Sequence, residues 1–139
     1  MRAVIDTNVI TGAMLTSGMN RKVVRACLNG QVQPLIGTAL FLEYEDVATR
    51  PGLFGRSQMT VRDRFELLAA LASVSEWVEI YYAWRPNLRD EGDNHLIELA
   101  VAGKAAAIVT NNVKDLRSGE LLFPSIRILT PAELIMELQ

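Results

Sequence analysis

The feature that most constrains how this chain folds is the regular alternation of short apolar runs with helix-like stretches. Arg2-Ala3-Val4-Ile5, Gln33-Pro34-Leu35-Ile36, Ala106-Ala107-Ile108-Val109 and Ile126-Arg127-Ile128-Leu129 read as strands, with Trp77–Tyr81 as a mixed fifth. Pro34 is near the start of its strand, where a missing N–H costs least. Between the runs, apolar residues recur at helical spacing, predicting helices over 7–15, over 21–29, from a Thr38 cap to about Ala48, and from a Thr60 cap through Ala72. A further helix runs to about Ala102, and a last one starts at Thr130-Pro131 with proline near its first position. Asn20 is expected to cap the second helix and Gly30 to close it, while Thr60 and Asp63 have capping-box spacing. Residues 85–92 read as a polar loop. Strands alternating with helices predict an α/β fold with a parallel sheet of about five strands between helical layers. At 139 residues without a repeat or composition shift, one domain over 1–139 is expected.

Composition excludes several classes. No apolar run approaches the roughly 18 residues that span a bilayer, and Asp6 interrupts any leader at once, so cytoplasmic residence is expected. The lone Cys27 lies among Val23, Val24, Ala26 and Leu28 and reads as a buried helix thiol. The net charge of −2 argues superficially against a nucleic-acid partner. If Asp6, Glu43, Asp90 and Asp93 belong to a metal site, however, 14 basic side chains face 12 remaining acids. Charge therefore neither demands nor excludes RNA.

Asp6 ends the first strand. In an open parallel sheet, ligands bind beyond the carboxyl ends of the strands, and an Asp there can hold a metal or activate water. Thr110, Asn111 and Asn112 end the strand at 106–109 in the same way and can support a carboxylate by hydrogen bonding. Asp115 follows closely. Asp93 precedes Leu96, Ile97, Ala100 and Val101 by three, four, seven and eight residues, which puts it on their face at a helix N-terminus. Capping alone would also account for an Asp there, but Asp90 adds a second carboxylate. His95 and Glu98 are expected on the opposite, outer side. On the helix after Thr38, Leu40, Phe41, Tyr44, Val47 and Ala48 form the apolar side. Glu43 and Glu45 flank its two edges, and periodicity does not choose between them.

No glycine-rich phosphate loop follows the first strand, no G-x-S-x-G elbow is present, and no Cys/His metal spacing occurs. An outward His95 leaves a Ser or Cys triad without a base. Oxygen ligands remain, the set that suits Mg²⁺ or Mn²⁺. Several acids around a hard ion fit metal-activated water attacking phosphate. A phosphatase with Asp6 as nucleophile is disfavoured, because Asn8 stands where such enzymes need an acid.

Asp6-Thr7-Asn8-Val9 after an apolar strand, Glu43-Tyr44-Glu45-Asp46-Val47, Arg89-Asp90-Glu91-Gly92-Asp93 and Ile108-Val109-Thr110-Asn111-Asn112 occur in that order. Together they resemble the motifs of the PIN-domain family, particularly its toxin-like members, over almost the whole chain. Ile128-Leu129-Thr130-Pro131-Ala132-Glu133 resembles the family's usual tail. The resemblance implies a three-layer PIN-like α/β/α fold and a Mg²⁺- or Mn²⁺-dependent endoribonuclease acting on single-stranded RNA. It implies catalytic Asp6, Glu43 and Asp93, with Asp90 as a further metal ligand and Asn8, Thr110, Asn112 and Asp115 in support. It favours Glu43 over Glu45. It also implies the toxin half of a toxin–antitoxin pair, bound by a cognate antitoxin and paired as a homodimer. Asn112 departs from the pattern, because many relatives carry an acid there. That departure supports the alternative of a degenerate PIN-like module that binds RNA or protein. Arg21, Lys22, Arg25, Arg50 and Lys114 are basic candidates for an RNA path.

Overall fold

The computed structural model describes residues 1–55, 57–80, 91–116 and 123–139, with only the backbone of residues 91–93. Five parallel strands form one sheet: β1 (Arg2–Ile5), β2 (Gln33–Ile36), β3 (Glu76–Trp77), β4 (Ala107–Val109) and β5 (Arg127–Leu129). Their order is β3-β2-β1-β4-β5. Val4 is paired with Leu35 on one side and Ile108 on the other, so β1 is central. Its last three residues and all of β4 are buried, as expected of strands covered on both faces. The helices are α1 (Thr7–Leu15), α2 (Met19–Leu28), α3 (Thr38–Ala48), α4 (Val61–Val74), α5 (Glu91–Ala102) and α6 (Pro131–Leu138). They flank the sheet, giving the expected three-layer α/β/α arrangement.

The chain leaves β1 toward β2 on one side and later returns to place β4 on the other. The strand order reverses between β1 and β4, and a crevice opens there at the carboxyl ends. Asp6 follows β1 and Thr110 follows β4, so both stand at its mouth.

Several local expectations hold. Thr60 and Asp63 form a reciprocal capping box on α4, and Thr130 with Glu133 forms another on α6, where Pro131 begins the helix. Gly30 closes the turn after α2 with φ +87°, a region that glycine enters without strain. Cys27 is buried, and desolvation pushes its thiol up to about 12, which makes it inert.

Others need correction. The cap of α2 is Gly18, with Asn20 inside the helix and its side chain turned to Asn111, and the cap of α3 is Gly37, with Thr38 already in the first turn. The fifth strand is only Glu76–Trp77, and Tyr81 lies outside the described residues. The helix expected after residue 92 already includes Glu91 and Gly92. On α4, the stripe Val61–Phe65–Leu68–Ala72 is rotated: Val61 and Phe65 are exposed, whereas Arg64, Leu68 and Leu71 are buried. Arg64 can be buried because its guanidinium donates to the carbonyls of Ala48 at 2.8 Å and Met59 at 2.9 Å. It also covers the Phe54 ring at 4.2 Å. A charge so satisfied reads as polar in sequence yet packs as core.

Candidate functional site

Asp6 occupies the N-cap position of α1, but its side chain makes no capping bond there. It turns instead across the crevice. The Thr110 hydroxyl donates to Asp6 Oδ2 at 2.8 Å, and Asn8 Nδ2 donates to the same oxygen at 3.2 Å. Thr110 is fully buried and also accepts the Asn112 backbone N–H at 3.0 Å. Asn8 Oδ1 accepts the Asn111 backbone N–H at 3.1 Å, which ties the turn after β4 to α1. Asn111 Nδ2 donates to Asn20 Oδ1 at 3.0 Å. Gly12 makes room for this last contact, since a Cβ there would come 2.1 Å from the Asn20 amide nitrogen. Asn8, Thr110 and the turn at 111–112 thus form one hydrogen-bonded network beside Asp6.

Glu43 projects from α3 beside this shell. Thr7 Oγ1 donates to Oε1 at 2.5 Å, and His95 Nε2 lies 3.0 Å from Oε2. Glu45 makes no such contact, so Glu43 is the edge residue that reaches the crevice. The next residue, Tyr44, is buried and its hydroxyl donates to the Ile5 carbonyl, fixing α3 against the end of β1. That bond orients Glu43 as well, because the two residues are consecutive on one helix.

The two carboxylates are pushed in opposite directions. Burial raises the Asp6 pKa, opposed by the hydrogen bonds from Thr110 and from the Thr7 backbone; the Glu43 charge raises it further. The His95 hydrogen bond lowers the Glu43 pKa against a smaller cost of burial, and Thr7 adds to it. Asp6 is therefore a desolvated acid whose charge is undercompensated, and Glu43 a well-held anion.

Asp93 is in the first turn of α5, as expected, but its side chain lies outside the described residues, as does Asp90 altogether. Asp115 is exposed, and its backbone N–H returns to the Asn112 carbonyl at 3.2 Å. Asn112 is exposed too. Among the described residues no three His, Cys, Asp or Glu side chains gather closely enough to hold a metal. The acids that do meet offer oxygen only, and Asp6 has charge to spare, which fits a hard divalent cation.

Sequence reasoning misplaced His95 and Glu98. Neither faces outward: His95 meets Glu43, and Glu98 is only 7% exposed. Residues 94 and 96–100 of α5 are all buried, whereas Val101, assigned to the inner face, is partly exposed. A helix buried around most of its circumference has no outer side to predict. Leu99, beside both residues on the helix surface and itself buried, was the available signal.

A family model described as PIN domain matches residues 2–114. The chain belongs to the PIN-domain family. PIN domains are generally nucleases that use divalent metal ions. The chain is similar in fold to a chain in the crystal structure of VapBC2 from Rickettsia felis bound to a DNA fragment from their promoter. That likeness has a TM-score of 0.62 at 15% identity and covers 94% of this chain and 98% of the other. A search of the curated proteins finds no match. The PIN fold accounts for the crevice at β1 and β4, the same place where Asp6 and Thr110 meet.

Proposed function

We propose that the chain is a Mg²⁺- or Mn²⁺-dependent endoribonuclease that hydrolyses phosphodiester bonds of single-stranded RNA. The observation that carries this reading is the buried, undercompensated Asp6 at the sheet's switch point, with Glu43 held beside it. Asp6 and Asp93 would hold the ion, with Glu43 completing the set directly or through water and Asp90 in support. A divalent ion bound there supplies a more acidic water and neutralises charge on the scissile phosphate. Asn8 and Thr110 orient Asp6, and Thr7 and His95 fix Glu43. The lowered pKa of Glu43 suits a standing anionic ligand better than a proton acceptor. Asn112 and Asp115 lie at the rim, where they would meet the RNA strand.

The toxin-like motifs and the fold likeness to VapBC2 support a role as the toxin of a toxin–antitoxin pair, held by a cognate antitoxin. Half the residues are hydrophobic, and Leu42, Val61 and Met136 are each more than half exposed, which supports a single-domain chain that pairs as a homodimer. Among the described residues no helix is long and apolar enough to cross a membrane, in keeping with a cytoplasmic role. Light scattering that returned only the mass of one chain would exclude the dimer.

Cleavage of a mixed-sequence RNA with and without Mn²⁺ tests the activity. Asp6→Asn and Asp93→Asn should each abolish metal-dependent cutting while the fold survives. Full activity in either variant would remove that residue from the site. Asn112, where relatives carry an acid, favours a second reading as a binding module; RNA retention by the wild type without metal-dependent cutting would establish it.

A further inference from the structure

Gly12 lies in the interior of α1, a position where glycine is less favourable to a helix than alanine. The space it leaves is filled from α2. A Cβ on Gly12 would come 2.1 Å from Asn20 Nδ2 and 2.8 Å from Asn20 Cγ, far inside van der Waals contact, so any larger residue there must displace the Asn20 side chain. Asn20 is half-buried in this niche, and it presents an acceptor to the turn after β4: Asn111 Nδ2 donates to Asn20 Oδ1 at 3.0 Å. Neither Gly12 nor Asn20 has a part in the proposed chemistry, yet their contact is the outer end of the network that reaches Asp6.

The direction of the bonds gives that contact its consequence. An asparagine amide has an accepting end and a donating end of nearly equal shape, and its hydrogen-bond partners decide which way it points. Asp6 needs the donating end of Asn8, since an amide oxygen turned on a carboxylate would repel it. The orientation is fixed from the far side, where Asn8 Oδ1 accepts the Asn111 backbone N–H at 3.1 Å and Asn111 Nδ2 at 3.4 Å. The Asn111 side chain has the same two choices. Asn20 Oδ1 selects between them by drawing Nδ2, rather than the oxygen, into the space between Asn20 and Asn8. With both amides so aligned, Asn8 Nδ2 donates to Asp6 Oδ2 at 3.2 Å and to Thr110 Oγ1 at 3.3 Å. We propose that Gly12 and Asn20 are positioning residues of the candidate ion site: Asn20, admitted by the bare backbone at Gly12, fixes Asn111 and through it the amide of Asn8 on Asp6.

The inference rests on the reading of Asp6 as an ion ligand, so it is tested both without metal and with it. In EDTA, ¹⁵N NMR of the full chain reads the Asn8 side-chain amide directly. Asn20→Ala and Gly12→Ala should each speed its hydrogen exchange by at least about threefold and move its resonances toward those of a free asparagine. Asn20→Asp keeps the acceptor for Asn111 Nδ2 and should leave the Asn8 signal as in the wild type. In calorimetry with Mn²⁺, either alanine variant should bind about threefold to tenfold more weakly, a smaller loss than removing a direct partner of a ligand causes. The double variant should bind no more weakly than either single one, because both substitutions remove the same contact. A residue that merely ties α1 to α2 would lower the melting temperature and leave the Asn8 signal unchanged; that result would overturn the proposal, as would additive losses of Mn²⁺ affinity. Wild-type Mn²⁺ affinity in both variants would keep the ion site and discard the positioning role. A shifted Asn8 signal in a chain that binds no Mn²⁺ would keep the positioning of Asp6 and discard the ion.

Discussion

Replacing Thr110 with valine removes one hydroxyl and changes the shape of the site hardly at all. That hydroxyl donates to Asp6 Oδ2 at 2.8 Å inside a fully buried position, so water cannot replace it. A hydrogen bond to a charged group contributes about 1.5–3 kcal/mol. The hydroxyl also accepts the Asn112 N–H and, at 3.3 Å, the Asn8 amide; these losses are cheaper because Asn112 is exposed and can turn to water, and the Asn8 amide keeps its bond to Asp6. A better-packed methyl offsets a fraction of this, leaving a net destabilisation of about 2 kcal/mol in metal-free protein near neutral pH. The pH dependence follows from Asp6. Burial already raises its folded pKa, and the Thr110 bond is the largest opposing effect, so the variant raises it further. The energy Thr110 contributes is present while Asp6 is ionised and fades as pH falls through the folded pKa of Asp6. Urea unfolding in EDTA should show a midpoint lowered by about 1 M near neutral pH, and by progressively less as pH falls through the raised folded pKa of Asp6. Thr110→Ser keeps the hydroxyl and should cost only about 1 kcal/mol for the lost methyl, independently of pH. A loss below about 0.5 kcal/mol in the valine variant, or equal losses in both variants at every pH, would refute this account of Asp6.

Glu43→Gln should reduce metal-dependent RNA cutting far more than Glu45→Gln, because only Glu43 is held by Thr7 and His95; kinetics on one RNA substrate reverse the assignment if the order is inverted. Glu43 also imposes a pH trend of its own: its lowered pKa contributes stability above the ordinary carboxylate range that is lost as pH falls through the folded value. Acid unfolding of His95→Ala should therefore be less steep over that range than that of the wild type. Lys104 adopts φ +55° just after α5, so Lys104→Gly should raise the melting temperature, by an amount corresponding to about 1 kcal/mol.

Much of the architecture is legible in the chain because β1, β2, β4 and β5 are short apolar runs with polar ends, and parallel strands buried on both faces must be so. Asp6 and Thr110 could be placed together for the same reason, since each ends one of two runs that a parallel sheet brings side by side. Glu43 could be narrowed to an edge of α3 but not chosen over Glu45 by periodicity, because the choice depends on which neighbour supplies a donor, here Thr7. The failures share a cause. Arg64, His95 and Glu98 are polar residues that face inward because of partners or surroundings supplied by other elements. A pattern that equates polar with outward misses all three. Nothing in the sequence pattern distinguishes a satisfied buried Arg64 from a solvated one, whereas the apolar Leu99 beside Glu98 did carry a trace of burial on that side of α5.

In the proposed site, Asp6 would hold a divalent ion at the carboxyl ends of β1 and β4. Mg²⁺ and Mn²⁺ sites usually keep several waters, so a few carboxylates suffice for one ion, and with Asn112 neutral a second ion lacks the charge to bind tightly. Calorimetric titration of the metal-free chain with Mn²⁺ tests this directly. One tight ion per chain in the wild type, none in Asp6→Asn, and tighter binding in Asn112→Asp is the expected result. Two tight ions in the wild type, or unchanged binding in Asp6→Asn, would contradict it.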